Sequence, residues 1–334
     1  GMTRVGWPAV WASIAVLAKL SAIIFGPLCV VVIEIERLIR NGALQFSANR
    51  PRPDSVRCWI RFMWNQSRAL RWDYGQICLI ATVLVFVGAG SDWKPEDDFV
   101  RWAHELPNGV FASAMVQVSE SLTVFPNAAE AFVRQVKHNM GGHPSYLLGQ
   151  VSQHGVWYYF PVLLTIKLTL PLLLVSLLAV VTARRSALSW PLLCGLVLIA
   201  YSFSFRVQIG IRLILPAVAL LVIGIGITIG RIATMHWPST QHIRFHWLPV
   251  LKSGAAVCLA WAVVRAATIW PHGLRHVNVA WGGIESGHRY VSDSNYDWGQ
   301  GLPDLLAWQE SCGIPVLAVW YFNGELRPRR LPES

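Results

Sequence analysis

The chain has 334 residues, of which 54% are hydrophobic and only 14% charged, with a net charge of +10. A mean hydropathy of +0.44 is too apolar for a soluble globule of this length, so lipid is expected to cover much of the surface. The basic excess gathers between two apolar stretches, which suits membrane topology and argues against a nucleic-acid partner.

The sequence opens on Gly rather than Met, and its first apolar stretch begins almost at once. No short apolar core with a small-residue cleavage site marks a secretory signal, and the expectation is an N-terminally shortened chain. At ~20 apolar residues per crossing, about six spans are predicted. They run over Val10 to Ile33, Gln76 to Gly90, Trp157 to Val181, Trp190 to Phe205, Leu213 to Ile232 and Leu248 to Ile269. The predicted fold class is therefore an all-α polytopic membrane protein, with a small α/β domain over residues 271–334 outside the cytoplasm.

Residues 34–75 carry Arg37, Arg40, Arg50, Arg52, Arg57, Arg61, Arg68 and Arg71, and the next loop on the same side carries Arg184 and Arg185. Both belong in the cytoplasm by the positive-inside rule. Within the first loop, Ser55 to Trp72 sorts Trp59, Phe62, Met63 and Leu70 from Arg57, Arg61 and Arg68, the pattern of an interfacial helix on anionic lipid. The acidic segment 91–156 faces out, and Asn127 with Glu130 predicts the N-terminus of a helix there. After the last span, Arg289 to Ser292, Pro303 to Ser311 and Pro315 to Phe322 read as strand, helix and strand, one βαβ unit.

Charges inside spans are the chemical signal, since each costs ~3 kcal/mol on insertion scales unless paired. Lys19 and Lys167 lie within their spans, while Arg206, Arg212 and Arg265 lie near outer ends. With no carboxylate inside those spans, a lipid phosphate is the expected counter-ion, against the alternative that their stems snorkel to headgroups. The same shortage of acids disfavours an ion-coupled transporter.

Other patterns are weaker. Gly224, Gly226 and Gly230 sit in an apolar stretch and suggest close helix packing rather than a nucleotide loop. The pairs His242/His246 and His272/His276 have chelating spacing without a companion glutamate. Asp293, Asn295, Asp297 and Asp304 mimic a calcium loop, but Trp298 stands where glycine is needed. Asp293 and Asp297 also suit recognition of sugar hydroxyls or simple turn chemistry. The six cysteines form no CxxC, so no metal site is assigned. No nucleophile elbow, phosphate-binding loop or recognisable pair of catalytic carboxylates occurs.

Three stretches read together resemble a known family. These are GHPSYLLGQVSQHGVWYYFPVLLTIKLTLPLLL from Gly142, VQIGIRLILPAV from Val207 and VSDSNYDWGQGLPDLLAW from Val291, with LAKLSAIIFGPL from Leu17 in the expected order before them. They are similar to the C-terminal half of bacterial polyprenyl-phosphate-dependent glycosyltransferases of the GT-C class, related to protein O-mannosyltransferases and the aminoarabinose transferase.

The resemblance implies an inner-membrane enzyme that moves a sugar from a polyprenyl phosphate to a glycan or protein acceptor on the outer face. By resemblance, Lys167 and Arg212, with Arg206, Arg265 and Lys19, serve the donor-lipid phosphate. His143, Tyr146 and Gln150 line the outer cavity, and Asp293, Asn295, Asp297 and Gln300 form the distal motif. The family's catalytic base lies in an outer loop upstream of anything in this chain, so Asp97 and Asp98 do not inherit that role, and the catalytic residue is unassigned. Leu213 and Ala217 depart from the more polar or aromatic residues of relatives. A divalent metal is left open for the longer form. The alternatives are a transporter or lipid flippase with a cationic outer cavity, and a non-catalytic membrane subunit.

Overall fold

A computed structural model describes residues 1–42, 55–124, 126–183, 189–234 and 247–317, with side chains omitted at 178–188 and 232–252. The described chain is predominantly helical with one two-stranded sheet. It divides into two compact units: Gly1–Gly141 with Trp190–Leu198, and Gly142–Ser189 with Ile199–Ser334.

In the first unit, a π-helical turn at Met2–Gly6 leads into α1 (Trp7–Ala18), followed by α2 (Ala22–Arg40), α3 (Val56–Gln66) and α4 (Arg68–Ala89). The expected first span is thus two helices. The break falls at Lys19, whose backbone is extended, with no Gly or Pro at 19–21 to announce it. The break leaves Lys19 exposed at a helix end, where its amine need not be held among the apolar turns of one continuous helix. The predicted interfacial helix forms as α3: Ser55 caps it by accepting from the Cys58 amide, but it stops at Gln66 and α4 takes over Arg68 to Trp72.

Between α4 and the end of the first unit's continuous stretch at Gly141, three helices stand where one was expected: α5 (Asp97–His104), α6 (Val110–Ser121) and α7 (Pro126–Gly141). Asn127 is not the N-cap of α7. It lies inside that helix, and its side chain donates to the Ala89 carbonyl at the end of α4.

The second unit begins with the hairpin β1 (Ser145–Leu147) and β2 (Gln150–Ser152), antiparallel with Tyr146 opposite Val151. It continues through α8 (Tyr159–Lys167) and α9 (Leu170–Ala183). The chain then enters α10 (Trp190–Ser202), α11 (Leu215–Thr234) and α12 (Trp247–Ile269). Proline occupies the first turn of several helices, at Pro171, Pro191 and Pro216, where its missing N–H costs nothing. Beyond Ile269 the βαβ expectation is corrected. Short 3-10 turns at Gly273–Arg275, Val279–Trp281, Ile284–Arg289 and Asp293–Asn295 lead to α13 (Leu302–Ser311). The expected first strand contributes only one bridge, Val291 to Leu147 of the hairpin. The second begins without strand structure at 315–317, and the rest of it lies outside the described residues.

Among the described residues, one helix, α4, is long and apolar enough to cross a membrane by itself. The expected third span is instead α8 and the start of α9, bent by 115° at their junction, while α10, α11 and α12 carry shorter apolar runs. The bend has a visible cause: Pro171 lacks the N–H a continuous helix would give to the Lys167 carbonyl, and its ring would clash there. Gly226 and Gly230 also depart from expectation, because a Cβ at either would meet open space, so close packing does not explain them.

Candidate functional site

The α8–α9 break forms the centre of the second unit. Ending α8 at Lys167 frees carbonyls that need donors, and Asn278 supplies them. Its amide N–H donates to the Ile166 carbonyl at 3.0 Å, and its side-chain Nδ2 donates to Leu168 at 3.0 Å and to Thr165.

Lys167 is buried, 9% exposed. Its Nζ donates to the carbonyls of Leu274 and His276 at 2.7 Å and of Asn295 at 2.6 Å. An ammonium has three N–H donors, and all three are engaged. Lys167 therefore ties the end of α8 to two separate turns of the C-terminal segment. In this arrangement it offers an anion charge rather than a hydrogen bond.

The distal motif is built inward. Asn295 is fully buried. Its Nδ2 donates to the Tyr159 hydroxyl at 2.9 Å and its Oδ1 accepts from the Ile211 amide at 3.0 Å. Ser294 donates to the Ile209 carbonyl. Gly210, at φ +141°, passes so close that a Cβ would collide with the Ser294 hydroxyl. Asp293 has φ +58° and accepts from the Ser294 amide. Asp297 accepts from the Gly299 amide at 2.9 Å, and Gln300 closes a turn through the Trp298 amide and the Tyr296 carbonyl. Asp293, Asp297 and Gln300 thus hold their own loop in shape through turn chemistry, while Ser294 and Asn295 tie that loop to residues 209–211 and Tyr159.

Tyr146 donates to the Arg289 carbonyl at 3.0 Å, His143 Nδ1 lies 2.7 Å from the Pro144 carbonyl, and Gln150 is exposed on the hairpin. Arg212 is exposed with its guanidinium 4.8 Å from the Trp298 ring centre, a cation–π distance. The Arg206 side chain is exposed, and its carbonyl accepts from the His143 amide. Lys19 belongs to the first unit.

A small cavity of about 10 Å3 lies at the α9 end of the break, lined by Thr169, Leu170, Pro171, Trp261, Arg265, His276, Asn278 and Val279. It has room for about one water-sized atom. His276, 7% exposed, has neither ring nitrogen hydrogen-bonded. Burial, then the Lys167 ammonium and the Arg265 guanidinium, push its pKa down to about 4. A neutral imidazole, a guanidinium and the first turn of α9, the positive end of that helix, thus meet at one point. That combination attracts an anionic oxygen. Sequence reasoning named Arg265 but reduced His276 to half of a chelating pair. Its partner His272 instead faces the Arg275 guanidinium at 3.0 Å. The pair His242/His246 lies outside the described residues. The missed signal was Pro171, which forces the break that creates the cavity.

Among the described residues one acidic cluster has metal-like spacing, Glu96, Asp98 and Glu130, with oxygens within 4.8 Å. Arg134 bridges Glu130 and Asp98, and Arg101 pairs with Asp98 at 2.9 Å. Two of its three carboxylates, Asp98 and Glu130, are thus already countered by guanidinium groups.

No family model, curated protein or solved structure matches the chain.

Proposed function

We propose that the chain is a multi-pass membrane glycosyltransferase that takes a sugar from a polyprenyl phosphate and passes it to a glycan or protein acceptor on the extracytoplasmic face. The observation that carries this reading is the convergence of the three resembling stretches on one residue. Asn295, from the third, meets Tyr159 and Lys167 of the first and Ile211 of the second. Segments that share a family's pattern and also share one buried polar junction support a common architecture.

Membrane residence is supported by uncovered apolar surface. Leu79, Val83 and Val87 on α4 are 68%, 54% and 73% exposed, an arrangement costly in water and favourable in hydrocarbon. The Arg-rich 34–75 segment would then face the cytoplasm. In the transfer step, the acceptor hydroxyl oxygen forms a bond to the anomeric carbon as the bond from that carbon to the phosphate oxygen breaks; the phosphate keeps the electron pair and takes up the hydroxyl proton through water. Arg265 and the α9 N-terminus stabilise that leaving group, with one of its oxygens reaching the cavity beside His276. Lys167 adds charge from behind while holding the loop that carries His276.

The test is binding of polyprenyl phosphate against the uncharged polyprenol by the full chain in nanodiscs. The phosphate should bind better by about tenfold, an advantage that Arg265→Gln removes. Equal affinity for the two lipids would sink the proposal.

A second reading, a lipid flippase, draws on the broken α8–α9 pair, because broken helices recur at transport sites. Movement of polyprenyl phosphate between leaflets of a liposome, without cleavage of a polyprenyl-phosphate sugar, would favour it.

A further inference from the structure

The first unit carries its own cationic feature, at the N-terminal end of α4. α3 and α4 meet at Ser67, whose hydroxyl donates to the Met63 carbonyl at 2.9 Å. The resulting elbow encloses a cleft of about 500 Å3 lined by Trp64, Asn65, Arg68, Arg71 and Trp72. This volume suits a small-molecule or headgroup ligand.

Arg71 folds back over Trp64. Its guanidinium carbon lies 3.4 Å from the ring centre, and Nη2 donates to the Trp64 carbonyl at 2.6 Å. Stacking fixes the guanidinium plane and leaves Nε buried with no hydrogen-bond partner. Arg68 is exposed on the same cleft, and among the described residues no carboxylate lines it. The nearby Asp73 is bonded to Arg4, and Glu34 accepts two hydrogen bonds from Arg37 at 2.7 Å.

We infer that this elbow is a binding site for the phosphate of an anionic phospholipid headgroup. The occupant is set by three features. Two arginines with no acid lining the cleft among the described residues select an anion, and the guanidinium N–H groups not spent on Trp64 suit phosphate oxygens. Trp64 and Trp72, 60% and 67% exposed, are the side chains that settle at the membrane–water boundary. The cleft also sits where α4, the helix long enough to cross, begins. An acidic peptide would satisfy the charge but not the position. The inference rests on the membrane reading above, and is independent of sugar transfer.

The experiment uses the full chain. Flotation with phosphatidylcholine vesicles first tests membrane residence, and failure to float overturns the membrane reading and this site with it. Native mass spectrometry of protein from mixed nanodiscs then compares retained phosphatidylglycerol with phosphatidylcholine. The expected result is retention of phosphatidylglycerol favoured by about tenfold. That preference should vanish in the double variant Arg68→Gln, Arg71→Gln and weaken in Arg71→Lys, which keeps charge without the fork. If the double variant does not fold, Trp72→Ala on the exposed rim should still reduce the preference. A floating protein with no preference, variants that keep it, or displacement by soluble glycerophosphate or an acidic peptide as readily as by lipid would each overturn the proposal.

Discussion

The exposed arginines of the first unit's ion pairs and the buried lysine of the second handle positive charge in opposite ways. In the first, arginines meet carboxylates across short sequence distances: Arg37 with Glu34, Arg40 with Glu36, Arg101 with Asp98 and Arg134 with Glu130. In the second, the buried cation Lys167 is held by three backbone carbonyls from turns more than a hundred residues away. Local pairs near solvent contribute little, because water competes and long side chains lose freedom. A buried ammonium satisfied by carbonyls fixes the path of three chain segments at once, so its removal strands every one of them. Charge in the first unit tunes a surface, whereas charge in the second holds the fold around the candidate site.

The largest effect expected from this contrast is at Lys167. Lys167→Met leaves three carbonyls without a donor, and should cost roughly 3 kcal/mol or more, read as a lower unfolding temperature in detergent. Asn295→Ala should come next, with a loss of about 2 kcal/mol from the Tyr159 hydroxyl and Ile211 amide left unpaired. Gly210→Ala should lose a comparable amount, about 2 kcal/mol, because φ +141° and the Ser294 contact both exclude a side chain.

A smaller, pH-dependent effect should arise at His276. Its folded pKa near 4 lies below the ordinary 6.5, so between those values the unfolded chain takes up a proton that the folded chain refuses. Stability should therefore fall as pH drops from 6.5 toward 4 and be unaffected by this residue above that window. His276→Gln should flatten that part of the profile. The smallest effect should be Arg4→Ala. It breaks an ion pair in which Arg4 is 64% exposed, and a change within about 0.5 kcal/mol is expected. A large loss there, or a negligible one at Lys167, would erase the distinction between the units.

What the sequence by itself determined was the predominantly helical character of the chain and its cast of polar residues. Runs of apolar side chains announced most of the helices, since a helix needs only local hydrogen bonds and a continuous stretch of suitable residues. Ser55 announced the start of α3 for the same reason. Lys167 and Arg265 stood out because charged groups in or near apolar spans must be satisfied by something, and Asn295 stood out only as part of the Asp293–Asn295–Asp297 pattern. Their partners were decided only by tertiary structure. The break at Lys19 has no local marker. The acceptors of Lys167 come from residues 274, 276 and 295, and no spacing rule links carbonyls that far apart. The same holds for His276, whose meaning depends on burial beside Arg265 and the start of α9. Backbone carbonyls carry no sequence signature, so a site framed by them becomes visible only once the chain has folded.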